Sequence, residues 1–453
     1  MKRVVIAGAG GRDFHTFNVV FREDSGVDVV AFTAAQIPNI DRRTYPPDLA
    51  GDRYPAGIPI VPQAELAQLI RTHDVDEVVF AYSDIADTDV MHLAAQVLAT
   101  GADFRLVGQR TATLRSRKPV VAVCATRSGA GKSQTSRAIA HLLQAHGLVV
   151  ALIRHPMPYG NLHDMRLQRF RTLDDIDASH PTIEEREEYE LPVRQGIPVY
   201  AGVDYADVVA LAEQDADVLL WDGGNNDLPF LQPDVMIVVV DALRPGHELA
   251  FHPGEANVLL ADVLVVNKID SVPDRERPAV VDGVVDGLRR LNPRADIVLA
   301  SSPVTLDAGP SIRGKRVLVI EDGPTVTHGG MPFGAASVAA RAHGAQPVDP
   351  RPFAVGSLRG VYETYPHLGP VLPAMGYSEQ QIADLAATIA ATPCDAVLSG
   401  TPIDLGSALR GHDLGGRVVR HVAYDLDTGT KERLAELLAP WITRWTTREE
   451  PDA

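Results

Sequence analysis

The chain has 453 residues, 45% of them apolar, and so exceeds what one hydrophobic core serves; two or three domains are expected. A formal net charge of −17 disfavours nucleic acid and anionic membranes as partners, and no run of about 18 apolar residues is present to span a bilayer. Only Cys124 and Cys394 occur, each beside an apolar run, which argues against a disulfide framework or zinc cluster and makes the cytoplasm the expected compartment.

Residues 1–107 alternate apolar runs with helical patterns: Val4 to Ala7, Val27 to Phe32, Glu65 to Arg71, Glu77 to Tyr82, Val90 to Ala99 and Phe104 to Val107. That alternation predicts a parallel sheet wrapped by helices. The first turn, Gly8-Ala-Gly-Gly-Arg-Asp13, has two glycines of a dinucleotide fingerprint but Asp13 where a third is needed. A tight strand-to-helix turn, or an anion site using Arg12 and His15, suits it better than a nicotinamide site. Arg110, Arg115, Arg117 and Lys118 follow in a stretch that reads equally as a solvated linker or a basic wall between domains.

After Pro119 the run Val120 to Cys124 leads into Ala125-Thr-Arg-Ser-Gly-Ala-Gly-Lys-Ser133 and then a helical pattern from Gln134 to His146. This is a phosphate-binding loop in its strand and helix context, departing from G-x-x-x-x-G-K-[ST] only at Thr126. Small residues let backbone N–H groups turn toward phosphate oxygens, and the helix aims its positive end at them. The nucleotide is expected on Arg127, Ser128, Gly129, Ala130, Gly131, Lys132, Ser133 and Gln134, with Lys132 on the terminal phosphates and Ser133 on Mg²⁺.

Further apolar runs at Val149 to Ile153, Val218 to Trp221, Val235 to Val240, Val263 to Val266, Ile297 to Ala300 and Val317 to Ile320 read as strands buried on both faces of a largely parallel sheet. Between them, residues 161–192 read as a helical insertion with a solvated acidic face. Beyond Ala345 come a helix near Glu379 to Ala391, strands at Ala396 to Leu398 and Val418 to Val422, and a helix around Lys431 to Leu438, expected to extend the second sheet or cover its edge. The expected units are residues 1–118, a smaller Rossmann-like α/β domain with a basic linker; 119–345, the phosphate-loop NTPase domain; and 346–453, its C-terminal extension.

Ligands of such sheets bind beyond the carboxyl ends of the strands. There Asp222 suits the acidic residue that faces Mg²⁺ opposite Ser133. Asn267-Lys268-Ile269-Asp270 looks like the N-K-x-D base-recognition motif of GTPases, with Ser301 and Ser302 beside it, and leaves ATP and GTP both open. His155 and His328 fit anion binding or proton transfer at two strand ends of one sheet. Glu321 is either a second cation ligand or a helix cap.

Arg154-His-Pro-Met-Pro-Tyr-Gly160, Val199-Tyr-Ala-Gly-Val-Asp204, Trp221-Asp-Gly-Gly-Asn-Asn-Asp227 and Glu321-Asp-Gly-Pro-Thr-Val-Thr-His-Gly-Gly-Met331 together resemble the cyclic 2,3-diphosphoglycerate synthetase family. The resemblance implies a homodimeric, Mg²⁺-requiring, ATP-dependent ligase of the phosphate-loop class that includes dethiobiotin synthetase and the nickel-insertion GTPases. It implies an anionic small-molecule substrate, 2,3-bisphosphoglycerate, closed into an intramolecular pyrophosphate. On that reading Lys132, Asp222, His155 and His328 are catalytic, and Arg12, His15, Arg154, His155, Tyr159, His328 and Gly329 hold the bisphosphate. A GTPase that inserts a metal or cofactor into a partner, and a ligase with another anionic acceptor, are the alternatives.

Overall fold

A computed structural model describes residues 1–35, 40, 42–155, 160–376 and 378–447. The first sheet has strand order Thr44–Tyr45, Ile58–Pro62, Val27–Ala34, Lys2–Ala7, Glu77–Phe80, Asp103–Leu106, parallel except for the Thr44–Tyr45 edge. Its central strands are continuous apolar runs because helices cover both faces.

The second sheet has eight strands in the order Gln168–Phe170, Val199–Ala201, Val150–Arg154, Val218–Asp222, Val120–Ala125, Val235–Asp241, Val263–Asn267, Asp296–Leu299. All pairings are parallel except that of the edge strand Gln168–Phe170. Val120–Ala125 lies at its middle with every residue buried, so the loop that follows opens between the ends of Val218–Asp222 and Val235–Asp241. This is a largely parallel α/β fold, with one apolar layer on each face of the sheet.

The strands from 304 to 424 do not extend that sheet. Arg316–Asp322 pairs with Ala396–Ser399, Gln346–Pro347 and Leu372–Ala374, while Val419–Tyr424 joins Ala396–Ser399 to Val304–Leu306. They form a third sheet with its own core. The reason is local: Asp296–Leu299 is already a half-exposed edge, and the chain turns away from it at Ser301. The final helix, Thr428–Thr446, returns to the second sheet and buries Leu434, Leu438, Ile442 and Trp445 beside Ile139, Leu143 and Val298. Among the described residues no helix is long and apolar enough to cross a membrane.

The insertion after Asn161 forms helices Leu173–Ala178 and Ile183–Arg194, each opened by a threonine capping box. Its acidic face is not wholly solvated as expected, because Glu185, Glu187 and Glu190 are buried. The stretch 108–118 behaves as a linker: Leu114 bridges to Leu231, and Arg117 pairs with Glu213 at 2.7 Å.

Leu438, 1% exposed, is the centre of the returning helix's contact. Leu438→Ala is expected to lower unfolding free energy by about 2–4 kcal/mol in urea titration, by lost transfer energy plus a residual cavity.

Candidate functional site

The carboxyl ends of the three larger sheets converge on one cavity of about 830 Å³, which the short antiparallel ladder of Phe251–His252 with Ile85–Ala86 also lines. The phosphate loop forms its floor. Gly129 (φ 72°) and Gly131 (φ 111°) take backbone conformations that side-chain-bearing residues rarely adopt. A Cβ on Gly131 would lie 2.0 Å from Asn267 Nδ2, and one on Gly129 would lie 2.7 Å from Thr325 Oγ1. Thr126 stands without strain where a first glycine was expected: its N–H donates to Val239 O at 3.0 Å and its carbonyl accepts from Asn226 at 3.0 Å.

The Asn267 to Asp270 motif braces this loop. Asn267 Nδ2 donates to Ala130 O at 2.9 Å, and Lys268 Nζ donates to Gly129 O at 2.6 Å while pairing with Asp241 at 2.9 Å. Asp270 is exposed, outside the cavity lining, and accepts from Ser302 N–H at 2.9 Å. Ser302 rather than Ser301 enters the cavity, bonded to Gln134 and to Asn267. Ser301 instead spends its N–H on Asp427, the N-cap of the last helix.

Lys132 and Asp222 meet as expected, but as a closed pair. Lys132 Nζ lies 2.5 Å from Asp222 Oδ1 and also donates to Gly223 O, while Arg154 takes Asp222 Oδ2 and pairs with Glu188. Burial alone would raise the Asp222 carboxyl; Arg154 and Lys132 outweigh it and hold the group below its usual range, ionised. Burial pulls the Lys132 ammonium down against the pull of Asp222. Arg154 is therefore committed to two carboxylates, which corrects its assignment to an anionic substrate.

Arg127 was expected to hold the nucleotide as part of the loop. Its guanidinium pairs with Asp84 of the first sheet at 2.5 Å, contacts His247 Nδ1 at 2.6 Å, and donates to the carbonyls of His328 and Gly329 at 3.3 Å. It also lies 3.5 Å over the Phe251 ring. Asp84 Oδ2 accepts from Ser128 N–H at 3.1 Å, so a carboxylate takes one of the loop's amides. Ser83 and Asp84 follow an apolar strand of the first sheet, and reading that sheet's strand ends would have found them.

From the first sheet, Asp13 accepts from the N–H groups of Gly10, Gly11 and Phe14 at 2.7–3.0 Å. The glycine turn thus binds its own carboxylate, which fills the place a dinucleotide phosphate would take. Arg12 lines the cavity, whereas His15 does not. His15 stacks on Phe230 at 4.1 Å, bonds Ala112 O, and is pushed down to about 3 by burial, so it is a neutral core residue and not a substrate ligand. His155 reaches the cavity against Gly11, where a Cβ would overlap its ring.

Asp227 beside it was not singled out from sequence. It is 5% exposed, and burial raises its carboxyl to about 6, partly offset by Arg12 and by the Ser83 hydroxyl. The tail of the Asp222 to Asp227 segment was the available signal.

The third sheet supplies His328, bonded to Tyr365 OH at 3.2 Å and lining the cavity with it. His155 and His328 therefore line the cavity from different sheets, not from one as expected, because Arg316–Asp322 belongs to the third sheet. Gly329 contributes its carbonyl to Arg127 and Arg244 rather than to a substrate. Glu321 accepts from Ala336 N–H at 3.1 Å and from Ser337 N–H and Oγ at 2.8 and 2.7 Å, at the start of helix Ala335–Ala342. It caps that helix, which corrects its reading as a metal ligand. Tyr159 lies outside the described residues.

Ser133 faces the cavity with no hydrogen bond to its hydroxyl among the described residues, and Asp222 stays ionised beside Lys132; these two fit a magnesium ion carried by a nucleotide. Among the described residues no group of three His, Cys, Asp or Glu side chains is placed to hold a metal.

No family model matches the chain. It is 52% identical over 441 residues to arginine synthetase ArcE of Thermococcus kodakarensis, covering 97% of each chain. Among solved structures, LpxK from Aquifex aeolicus in complex with ATP aligns with TM-score 0.41 and 13% identity over 78% of this chain and 95% of that one. Hydrogenase maturation factor HypB from Archaeoglobus fulgidus aligns with TM-score 0.27 and 16% identity over 41% and 81%.

Because its carboxyl is raised, Asp227 keeps a proton in the fold that the unfolded chain has already released between about pH 4 and 6. Its contribution to stability is present below that window and lost as pH rises through it. Asp227→Asn is therefore expected to exceed the wild type in unfolding free energy by roughly 2–3 kcal/mol near pH 7.5, with the gap closing near pH 4, in urea titrations at both pH values.

Proposed function

The chain belongs to the family of the Thermococcus kodakarensis arginine synthetase, and from that premise we propose that it is an ATP-dependent ligase making arginine from a ureido amino acid and ammonia. The observation that carries this reading is the identity of 52% sustained over 97% of both chains, which spans all three sheets around the cavity.

The chemistry follows from the product. A guanidinium differs from a ureido group by a nitrogen in place of the oxygen, and that oxygen is a poor leaving group until it is phosphorylated. In the proposed first step the ureido oxygen attacks the γ-phosphorus of ATP, the bond to the bridging oxygen breaks, and ADP leaves. Ammonia then adds to the ureido carbon, the carbon–oxygen bond breaks, and inorganic phosphate departs, leaving the positively charged guanidinium.

The phosphate loop suits the first step, where charge spreads over phosphoryl oxygens. Lys132 exchanges Asp222 for the β- and γ-phosphates, a short move within the cavity. Ser133 and Asp222 would hold magnesium, which supplies neutralisation of phosphate charge. Arg127 and the Asn267–Lys268 brace hold the loop's shape, so that reorganisation on binding is small. The place of Asp270 outside the cavity lining supports ATP over GTP as the co-substrate, since a guanine reader has to face the base.

A second reading keeps the phosphoryl transfer and makes 2,3-bisphosphoglycerate the acceptor, closed to cyclic 2,3-diphosphoglycerate. The presence of Arg12, Lys132 and Arg137 in one cavity supports it, and the commitment of Arg154 to Asp222 and Glu188 weighs against it.

Incubation with Mg²⁺, ATP, citrulline and ammonium is expected to yield arginine and ADP in equal amounts by chromatography. Cyclic product from 2,3-bisphosphoglycerate by phosphorus NMR, with no arginine formed, would overturn the first reading in favour of the second. Lys132→Ala is expected to reduce kcat by on the order of 100-fold or more in either assay.

A further inference from the structure

Arg137 stands on the helix Lys132–Ala145, four residues after Ser133 and so on the same helix face, roughly 6 Å further along the axis. It is 6% exposed and lines the cavity. No hydrogen bond or ion pair engages its guanidinium among the described residues, and none of its nitrogens is fully buried. The charged groups that bear on it are Asp222, Arg154 and Asp425. Both Asp222 oxygens are taken by Lys132 and Arg154, and Asp425 is paired with Lys431 at 2.6 Å.

A guanidinium is always charged, and one taken out of water without a partner is costly to the fold. Beside it, the half-buried hydroxyl of Tyr424 also lines the cavity with no hydrogen-bond partner among the described residues. Burial pushes that phenol further up, so it remains a neutral donor. The third sheet thus brings a donor to an unpaired cation of the phosphate-loop helix.

We propose that Arg137 and Tyr424 form the receptor for the α-carboxylate of the amino-acid substrate, which rests on the ligase reading above. The planar fork of a guanidinium matches a carboxylate in two parallel hydrogen bonds. An extended ornithine-type side chain spans the distance from this receptor to the Ser133 end of the helix, which places the ureido group at the phosphate loop. Selection by the carboxylate would therefore also set the position of the reacting oxygen.

The test is calorimetric titration of citrulline and of its decarboxylated analogue N-carbamoylputrescine into the full chain loaded with Mg²⁺ and AMP-PNP. The wild type is expected to prefer citrulline by on the order of 100-fold. Arg137→Ala is expected to abolish that preference while keeping the affinity for AMP-PNP and for the analogue. Arg137→Lys and Tyr424→Phe, which disturb packing less, are each expected to weaken the preference by on the order of tenfold. A preference that survives in Arg137→Ala, a loss of AMP-PNP affinity in its place, or a wild type that binds both ligands alike or neither would overturn the receptor. Turnover of the wild type is read separately: a carboxylate preference removed by Arg137→Ala with no arginine formed would overturn the reaction and leave the receptor standing.

Discussion

The buried pair between Arg127 and Asp84, at 2.5 Å, is the contact on which the geometry of the cavity depends. A guanidinium out of water needs its charge and its donors satisfied, and Arg127 meets that need with groups from all three sheets. Asp84 follows a strand of the first sheet, His247 one of the second, and the carbonyls of His328 and Gly329 one of the third, while Phe251 stands in the short antiparallel ladder of Phe251–His252 with Ile85–Ala86. The side chain that unites them belongs to the phosphate loop itself. Loop shape and the closure of three sheets around it are thus one constraint, and removal of either partner leaves a buried charge uncompensated.

A second line of charge runs through the cavity from Lys132 to Asp222, Arg154 and Glu188. Arg154 and Lys132 together keep Asp222 a carboxylate in spite of its burial. The line also keeps Lys132 in place without nucleotide. Phosphate oxygens are anionic acceptors for an ammonium, as the Asp222 carboxylate is. Arg137 is outside this line, and among the described residues no ion pair engages it.

Much of the fold was legible in the chain because its parallel strands are continuous Val, Ile and Leu runs. Val120 to Cys124, Val218 to Trp221 and Val263 to Val266 became strands with all residues buried, as two-sided burial requires. Arg316–Asp322 carries the same pattern and yet belongs to another sheet, since a buried strand looks alike whichever sheet buries it. Within the site, Lys132, Ser133 and Asp222 could be read because a phosphate loop needs those residue types at fixed places. His15 could not, because its sequence neighbours do not show that it stacks on Phe230, more than two hundred positions away. Glu321 likewise became a helix cap only because Ser337 folds back over it.

The sequence by itself determined what is local and periodic: the buried strands, the glycines of the phosphate loop at positive φ, the chain order of loop, Asp222 and Asn267 motif, and the absence of any long apolar span. These follow from backbone sterics and from hydrophobic pattern, which act over a few residues. Only the tertiary structure decided which charges meet. Whether a cation is spent on a carboxylate, as Arg154 is, or left open to the cavity, as Arg137 is, depends on partners tens to hundreds of residues away. In a medium of low dielectric constant that choice of partner sets protonation, position and affinity, and so separates the residues that build the cavity from those free to bind within it.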